Sequence, residues 1–317
     1  MRIILGLLTY MLLNTATGCA QEQAPLRIGT SVWPGYEILY VARSLTLFSE
    51  DIRLIEYPAS DDVKRALAHA HIDGAALTLD EAIAVASRGR DLTIVLVCDV
   101  STGGDALIGK PEVGSVNDLK NTSVGVSSAT TGRLILDAAL THAGASFSTS
   151  DLALREIAPQ QLQNFWQDQS VAAVVTREPE LSRLTDQNGR VLYSSNDIRG
   201  RIVDVLVIRS ERLSNNATSI RAMINGYLEA RRRVLNSDPA AMKALNARLR
   251  LNEAQLINAL DAMHLTGAAE NERLLNDSSG RIRKTSDALR NLMHISGLLK
   301  PGNDAQLNIT TDYLPES

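Results

Sequence analysis

Residues 26–47 decide the fold class, and they read Leu26-Arg27-Ile28-Gly29-Thr30-Ser31-Val32-Trp33-Pro34-Gly35-Tyr36-Glu37-Ile38-Leu39-Tyr40-Val41-Ala42-Arg43-Ser44-Leu45-Thr46-Leu47. The first five residues predict a short strand, and an amphipathic helix is predicted from about Gly35 to Phe48. We expect the turn between them to expose Trp33 and Tyr36. Such a junction directs free backbone N–H groups and an aromatic surface at one point, which suits a small molecule held without catalytic groups.

Strands alternate with helices over the first two thirds of the chain. Apolar runs predict strands at 26–30, 52–57, 73–78, 92–98, 105–108, 123–126, 152–157, 171–175, 190–193 and 202–208. Helical periods separate most of them, which indicates parallel βαβ units and an α/β protein. From Asn215 onward the pattern becomes almost wholly helical, and its last long helix is predicted at 281–297.

The strand, the W-P-G-Y-E turn and the helix ending in Leu47-Phe48 resemble the start of one transport family. It is the nitrate/sulfonate/taurine (NitT/TauT-like) family of ABC-importer solute-binding proteins, which includes binders of thiamine precursors. The resemblance implies a two-lobed, type II-like periplasmic binding protein with C-terminal helices on the first lobe. We expect lobe 1 to comprise residues 26–103 and 205–317, and lobe 2 residues 104–204. The ligand would lie between them, where open α/β sheets bind ligands at strand carboxyl ends.

The first 19 residues have the pattern of an export signal. The apolar run 3–13 is too short to span a bilayer, and small residues precede Cys19. A Cys directly after the cleavage point resembles a bacterial lipobox, although Ala16 stands where Leu is usual. We therefore expect lipidation at Cys19, a tether at 20–25 and a location in the periplasm or cell envelope on a lipid anchor. The alternative is an ordinary signal peptide that is cleaved nearby.

Composition narrows the class of partner. The chain has 317 residues, 44% of them hydrophobic, and a formal net charge of -4 without basic runs, so it is a poor nucleic-acid binder. Its length suits two domains. It has two Cys residues; with Cys19 lipidated no internal disulfide is possible. Cys98, in an apolar strand pattern, is predicted to be a small core residue.

Polar and aromatic side chains at strand ends are the candidate ligand-binding residues. Trp33 and Tyr36 are predicted to stack on the ligand; in the alternative, Trp33 caps the core and only Tyr36 is exposed. Asp80 either caps a helix or faces the ligand, and Thr130 suits both a helix cap and an oxygen-rich ligand group. The ten candidates are Trp33, Tyr36, Glu37, Thr78, Asp80, Asp105, Thr130, Thr131, Glu178 and Asp204.

Carboxylates outnumber cations in this set. Asp204 lies inside an apolar run and therefore needs a partner, which is a ligand cation, a backbone N–H group or an arginine such as Arg201. A site for a bare nitrate or sulfonate would be rich in donors. We therefore expect an amine, a zwitterion or a pyrimidine-like ring to be favoured over a bare anion.

Catalytic patterns are weak. The five His residues are scattered, without metal-ligand spacing, and no G-x-S-x-G nucleophile motif occurs. The sequence thus predicts a monomeric, non-enzymatic binding protein without metal or cofactor, which delivers its ligand to an ABC permease. The alternative is a ligand sensor that docks on a membrane receptor or signalling enzyme. An enzyme of thiamine-precursor synthesis on the same fold is disfavoured by the export signal.

Overall fold

The computed structural model describes residues 24–49, 51–128, 130–276, 280–300, 302 and 306–315. The predicted signal, Cys19 and most of the tether lie outside these residues. The strands are β1 Leu26–Thr30, β2 Ile52–Glu56, β3 Gly74–Thr78, β4 Leu92–Ser101, β5 Asp105–Gly109, β6 Ser123–Val126, β7 Ala153–Glu156, β8 Val171–Arg177, β9 Arg190–Ser194, β10 Val203–Arg209, β11 Met263–Leu265 and β12 Asn308–Ile309.

Helices follow most of the strands, as the alternating pattern predicts. They are α1 Pro34–Ser44, α2 Ser60–Ala68, α3 Leu79–Ala86, α4 Thr131–His142, α5 Leu162–Gln167, α6 Glu180–Thr185, α7 Ala217–Leu235, α8 Pro239–Leu249, α9 Glu253–Asp261, α10 Ala268–Leu275 and α11 Arg281–Ile295. Helix α1 ends at Ser44, earlier than predicted, and Thr46 then takes a left-handed φ of 52°. Pro34 opens α1, where its missing N–H costs no intrahelical bond.

The first sheet has the strand order β11-β4-β10-β3-β1-β2, with β12 paired to β4. Strands β1, β2 and β3 are parallel neighbours, whereas β10 runs antiparallel between β3 and β4. All seven residues of β10 are buried, which matches its continuous apolar run. The carboxyl ends of β1, β2 and β3 therefore share one edge of the sheet with the start of β10.

The second sheet has the order β7-β6-β8-β5-β9. The chain passes from the first sheet to the second between Ser101 and Asp105 and returns between Ser194 and Val203. These two sheets with their flanking helices confirm the predicted α/β, two-lobed fold class. The exact lobe boundaries stay a prediction, and β10, which contains Asp204, lies wholly in the first sheet.

The C-terminal helices pack mainly on the first sheet's layer. Helices α7 and α8 pack on α1, and α11 packs on α3; α9 also contacts α6 beside the second sheet. The almost wholly helical pattern predicted here holds except for β11 and β12, which were not predicted and are three and two residues long. They form because the long strand β4 offers a free edge, and they are too short to produce an alternating pattern. Within the described ranges no helix has the length and apolar character to cross a membrane.

Candidate functional site

A cleft of about 420 Å³ opens between the two sheets. Its walls come from segments that follow the carboxyl ends of β1, β2, β6 and β8, together with the end of α8. We call it the intersheet cleft. Its polar and charged lining residues are Ser31, Glu56, Ser60, Ser127, Ser128, Gln160, Thr176, Arg177, Glu178, Glu180, Arg183, Arg248 and Arg250. This is the edge at which open α/β sheets bind ligands.

Arg177, the last residue of β8, is the central cation of this cleft. Its Nη2 donates to the Ser31 hydroxyl at 3.0 Å and to the Val32 carbonyl at 3.2 Å, and both acceptors are neutral. Burial alone would lower the pKa of Arg177, but nearby acidic groups, Tyr36 and Glu81 first, raise it above its ordinary value. The guanidinium therefore stays charged beside the cleft.

The second sheet adds hydroxyls and one carboxylate to the same wall. Ser127 and Ser128 lie just before helix α4; the Ser128 hydroxyl donates to Glu81 at 3.1 Å, and the Gly132 amide in the first turn of α4 donates to the Ser128 carbonyl at 3.2 Å. Glu178 accepts hydrogen bonds from the Ser182 hydroxyl at 2.9 Å and the Ser182 amide at 3.2 Å. Burial raises the pKa of Glu178, and the Ser182 bonds oppose that rise. Hydrogen-bond donors that suit an anion and a carboxylate that suits a cation therefore line the same cleft.

Arg248 closes the cleft from the C-terminal helices. It pairs with the buried carboxylate of Glu37 and with Glu56, and its guanidinium lies 3.6 Å from the Tyr40 ring centroid. Burial raises the pKa of Glu37 to about 7, against the opposing hydrogen bond from Arg248. The Glu37 carboxylate is therefore paired with Arg248 inside the protein, whereas the sequence predicted that it would accept a hydrogen bond from the ligand.

Trp33 and Tyr36 are buried, with 0% and 1% of their surfaces exposed, so the prediction of exposed rings was wrong. The Arg177 guanidinium lies 5.2 Å and 5.5 Å from their ring centroids, within cation–π range. The Trp33 indole N–H donates to Asp99 at 3.1 Å. Sequence reasoning missed this burial because the covering groups come from β8 and β4, far along the chain.

Asp99 and Asp204 are direct neighbours across the β4–β10 pair. The Tyr36 hydroxyl donates a hydrogen bond to the Asp204 carboxylate. Asp204 therefore has a partner, as predicted, but Tyr36 was not among the partners that the sequence suggested. Burial, followed by the charge of Asp99, raises the pKa of Asp204 well above its ordinary value, and burial raises that of Asp99 to about 7. Two adjacent buried carboxyls titrate as a coupled pair, because the charge of one disfavours ionisation of the other.

Threonines and Asp80 join the two sheets directly. The Thr131 hydroxyl, from α4, donates to Asp80 at 2.9 Å and lies 3.0 Å from the Thr78 hydroxyl. Lys64 of α2 donates to the Thr130 hydroxyl at 3.0 Å. Burial, with Glu81 next in effect, raises the pKa of Asp80 to about 7. These candidates therefore bridge the layers, in a region where the sequence predicted ligand contacts.

Asp105, the first residue of β5, is buried and accepts a hydrogen bond from Ser101. Burial raises its pKa, and Arg177 opposes that rise. Of the ten candidates, Glu178 lines the intersheet cleft. Tyr36, Asp105 and Asp204 influence the cleft indirectly, because they raise the pKa of Arg177, which lines it. Their roles in binding stay predictions.

Sequence reasoning missed several lining residues. Arg177 had a signal, since it lies in the junction just after the predicted strand 171–175, but its charge was outweighed by the carboxylates nearby. Gln160, Arg183, Arg248 and Arg250 had none, because only the folding of the short helices and α8 brings them to the cleft. In the described part of the chain no group of three or more His, Cys, Asp or Glu side chains has metal-binding geometry.

Comparison with solved structures supports the fold. The alkanesulfonate-binding protein SsuA from Xanthomonas axonopodis pv. citri, bound to MOPS, has a TM-score of 0.73 and 18% identity, over 89% of this chain and 96% of that one. The periplasmic aliphatic sulphonate binding protein SsuA from Escherichia coli has a TM-score of 0.70 and 20% identity, over 92% and 99%. The periplasmic nitrate-binding protein NrtA from Synechocystis PCC 6803 has a TM-score of 0.62 and 12% identity, over 92% and 94%.

The sequence comparison identifies the family. No curated protein matches the chain. The profile of the NMT1-like family, in contrast, matches residues 19–249, which include both sheets except β11 and β12 and helices α1 to α8. Since this match covers well over half of the chain, the protein belongs to the NMT1-like family.

Proposed function

We propose that this chain is an extracytoplasmic solute-binding protein, without enzymatic activity, that captures a small polar ligand in the intersheet cleft. The observation that carries the proposal is Arg177. It is a charged guanidinium beside a cleft of about 420 Å³, and its two hydrogen-bond acceptors are neutral. The sulfonate- and nitrate-binding proteins that share the fold make solute binding the closest model.

The ligand we propose is a small zwitterion. Arg177 and the hydroxyls of Ser31 and Ser127 suit an anionic group, since guanidinium groups form charge-assisted hydrogen bonds with anions. Glu178 lines the same cleft and suits an ammonium group. Arg248 and Arg183 are less available, because they already pair with Glu37, Glu56 and Glu180.

We further propose that ligand binding favours closure of the two sheets and that an ABC permease accepts the closed form. Arg177 donates across the cleft to Ser31, and Gln160 donates to the Pro58 carbonyl at 2.8 Å. A ligand that binds the closed form better shifts the population toward it. In this proposal Cys19 carries a lipid anchor at the cell envelope. A permease and ATPase encoded beside this chain would support import; a receptor or cyclase there would support the sensor alternative.

A thermal-shift comparison of three related compounds tests the binding proposal. They are 2-aminoethanesulfonate, ethanesulfonate and ethylamine, with an aminopyrimidine as a fourth probe. A ligand at a hundred times its Kd adds about 2.7 kcal/mol to the free energy of unfolding. We expect the zwitterion to stabilise most. If only ethanesulfonate stabilises the protein, the binding function stands but the proposed zwitterionic ligand class is wrong. If none of the four compounds raises the melting temperature, the result counts against small-solute binding.

A further inference from the structure

A second, strongly basic cleft lies at the opposite end of the first sheet. It measures about 320 Å³ and sits where β1 and β3 begin and β10 ends, away from the intersheet cleft. We call it the basic pocket. Its lining residues are Ala24, Pro25, Arg27, Arg53, Asp73, Arg209 and Arg212.

Three arginines converge on one carboxylate in this pocket. Asp73 is 1% exposed, and its oxygens lie 3.0 Å from Arg27 Nε, 2.9 Å from Arg209 Nη2 and 3.2 Å from Arg212 Nε. Asp73 also accepts the backbone N–H of Arg27 at 3.0 Å. This is more positive charge than one buried carboxylate needs for neutralisation.

Acidic side chains nearby balance only part of the positive charge of these arginines. Arg209 also pairs with Glu211, whose side chain is 53% exposed, and Arg53 on the neighbouring strand adds a fourth guanidinium. The Nε atom of Arg209 is buried and, among the described residues, has no hydrogen-bond partner, and Arg212 Nε contacts only the Asp73 carboxylate, which it shares with Arg27 and Arg209. Buried donors without acceptors are costly, so the pocket is incomplete as it stands.

We propose that the basic pocket binds a phosphoryl oxyanion. Guanidinium groups form short, charge-assisted hydrogen bonds with phosphate oxygens, and a phosphoryl group offers enough acceptors for several arginines. The oxyanion is either a membrane-lipid headgroup or a free phosphate compound. The headgroup source rests on the proposed anchor: Ala24, in the pocket wall, is five residues after Cys19, a span of at most ~17 Å.

Titration of the full chain with inorganic phosphate, in a non-ionic detergent at constant ionic strength, tests the pocket directly. We expect saturable heat by calorimetry, with affinity weakened about tenfold by Arg53→Gln or Arg212→Gln, since each removes one charge-assisted contact. Arg53 is exposed and the Arg212 side chain is half-buried, so both replacements leave the most buried arginine of the pocket, Arg209, in place. Arg232→Gln, on an exposed face of α7, is the matched control and should leave phosphate affinity unchanged. Circular dichroism confirms that each variant is folded.

Flotation with lipid vesicles distinguishes the two sources. The Cys19→Ala chain, which cannot be acylated at that residue, is mixed with vesicles of phosphatidylcholine alone or with added phosphatidylglycerol. Arg212-dependent binding to the anionic vesicles supports the headgroup; Arg212-dependent phosphate binding without vesicle binding supports a free phosphate compound. If phosphate gives no saturable heat and Arg212→Gln leaves vesicle binding unchanged, the proposal is overturned, whatever the zwitterion screen of the intersheet cleft finds.

Discussion

Asp73 and Asp204 are both 1% exposed and lie at opposite ends of the same sheet, yet their pKa values move in opposite directions. Burial would raise the pKa of Asp73, but hydrogen bonds from Arg27 and Arg209 hold it below its ordinary value. Burial and the neighbouring Asp99 raise the pKa of Asp204 well above its ordinary value. Their exposure is the same, but Asp204 lies deeper in the protein and next to a second carboxyl, whereas Asp73 lies under several arginines, so burial depth and the sign of the neighbouring charges act together.

The comparison separates two kinds of polar site. The Asp73 end holds an ionised carboxylate under excess positive charge. The Asp204 end holds two adjacent carboxyls whose pKa values are raised, beside the guanidinium of Arg177. An apolar strand, β10, carries both ends, with Asp204 near its start and Arg209 at its end. The predictions below test how far this difference extends.

Replacement of Asp73 should have the largest effect. Asp73→Asn removes the charge that three arginines contact, and loss of one partner of a buried ion pair costs about 3–5 kcal/mol in the free energy of unfolding. Asp204→Asn imitates a protonated carboxyl and should cost less than about 1.5 kcal/mol at neutral pH. Urea denaturation measures both. Equal losses for the two variants would contradict the assigned charge states.

Replacement of Arg177 should weaken ligand binding next most strongly. Arg177→Gln removes the charged donor of the intersheet cleft, and hydrogen bonds to charged groups contribute about 1.5–3 kcal/mol, so affinity should fall about 10–100-fold. Arg183→Gln is the matched control, because Arg183 already pairs with Glu180 and donates to the Leu249 carbonyl at 2.7 Å. Calorimetry with the compound found by the thermal-shift screen gives both affinities. An equal loss in the two variants would count against a special role for Arg177.

Stability should depend on pH with opposite sign at the two ends. Asp99, with its pKa raised to about 7, binds a proton in the folded chain when the unfolded chain has lost it, so its contribution is present at pH 4 and lost as pH rises toward 7. Asp73, with a lowered pKa, contributes above pH 4 and loses that contribution as pH falls through its folded pKa.

Denaturation curves between pH 2 and pH 8 test this dependence. The free energy of unfolding should fall by roughly 1–2 kcal/mol between pH 5 and pH 7.5. Asp99→Asn should reduce that decline, with Glu37 and Asp80, whose pKa values are also raised to about 7, causing the rest, and it should leave the loss of stability in acid intact. A decline of equal slope in the Asp99→Asn chain would mean that other groups cause it.

An exposed ion pair should have the smallest effect. Arg65 pairs with Asp62 one turn away on α2, and its side chain is 61% exposed. Arg65→Gln should change the free energy of unfolding by less than about 0.5 kcal/mol, because solvent screens such pairs. The same denaturation experiment measures it, beside Asp73→Asn. A loss approaching that of Asp73→Asn would undermine the argument that burial and converging charge distinguish the Asp73 end.

Much of the fold was predictable, because the strands are short apolar runs and the turn before α1 has a clear sequence pattern. Local periodicity located β10 and α11 within a few residues. It missed β11 and β12, since strands of two or three residues exist only through their pairing with β4. Pairing partners far apart in sequence leave no local signal.

The site was less predictable than the fold. Strand ends located Glu178, and an apolar run predicted that Asp204 needs a partner. The sequence did not reveal that Tyr36 is that partner, or that Arg248 reaches Glu37 from more than two hundred residues away. A count of nearby carboxylates therefore overstated the acidity of the cleft, because internal partners occupy Glu37, Asp80 and Asp204.

A crystal structure of the chain with its best thermal-shift ligand tests the central claim most directly. We expect the ligand in the intersheet cleft, with its anionic group within hydrogen-bond distance of Arg177 and the serine hydroxyls, and its ammonium group near Glu178. A ligand bound elsewhere, with the direct Arg177–Ser31 contact and an empty intersheet cleft, would contradict it.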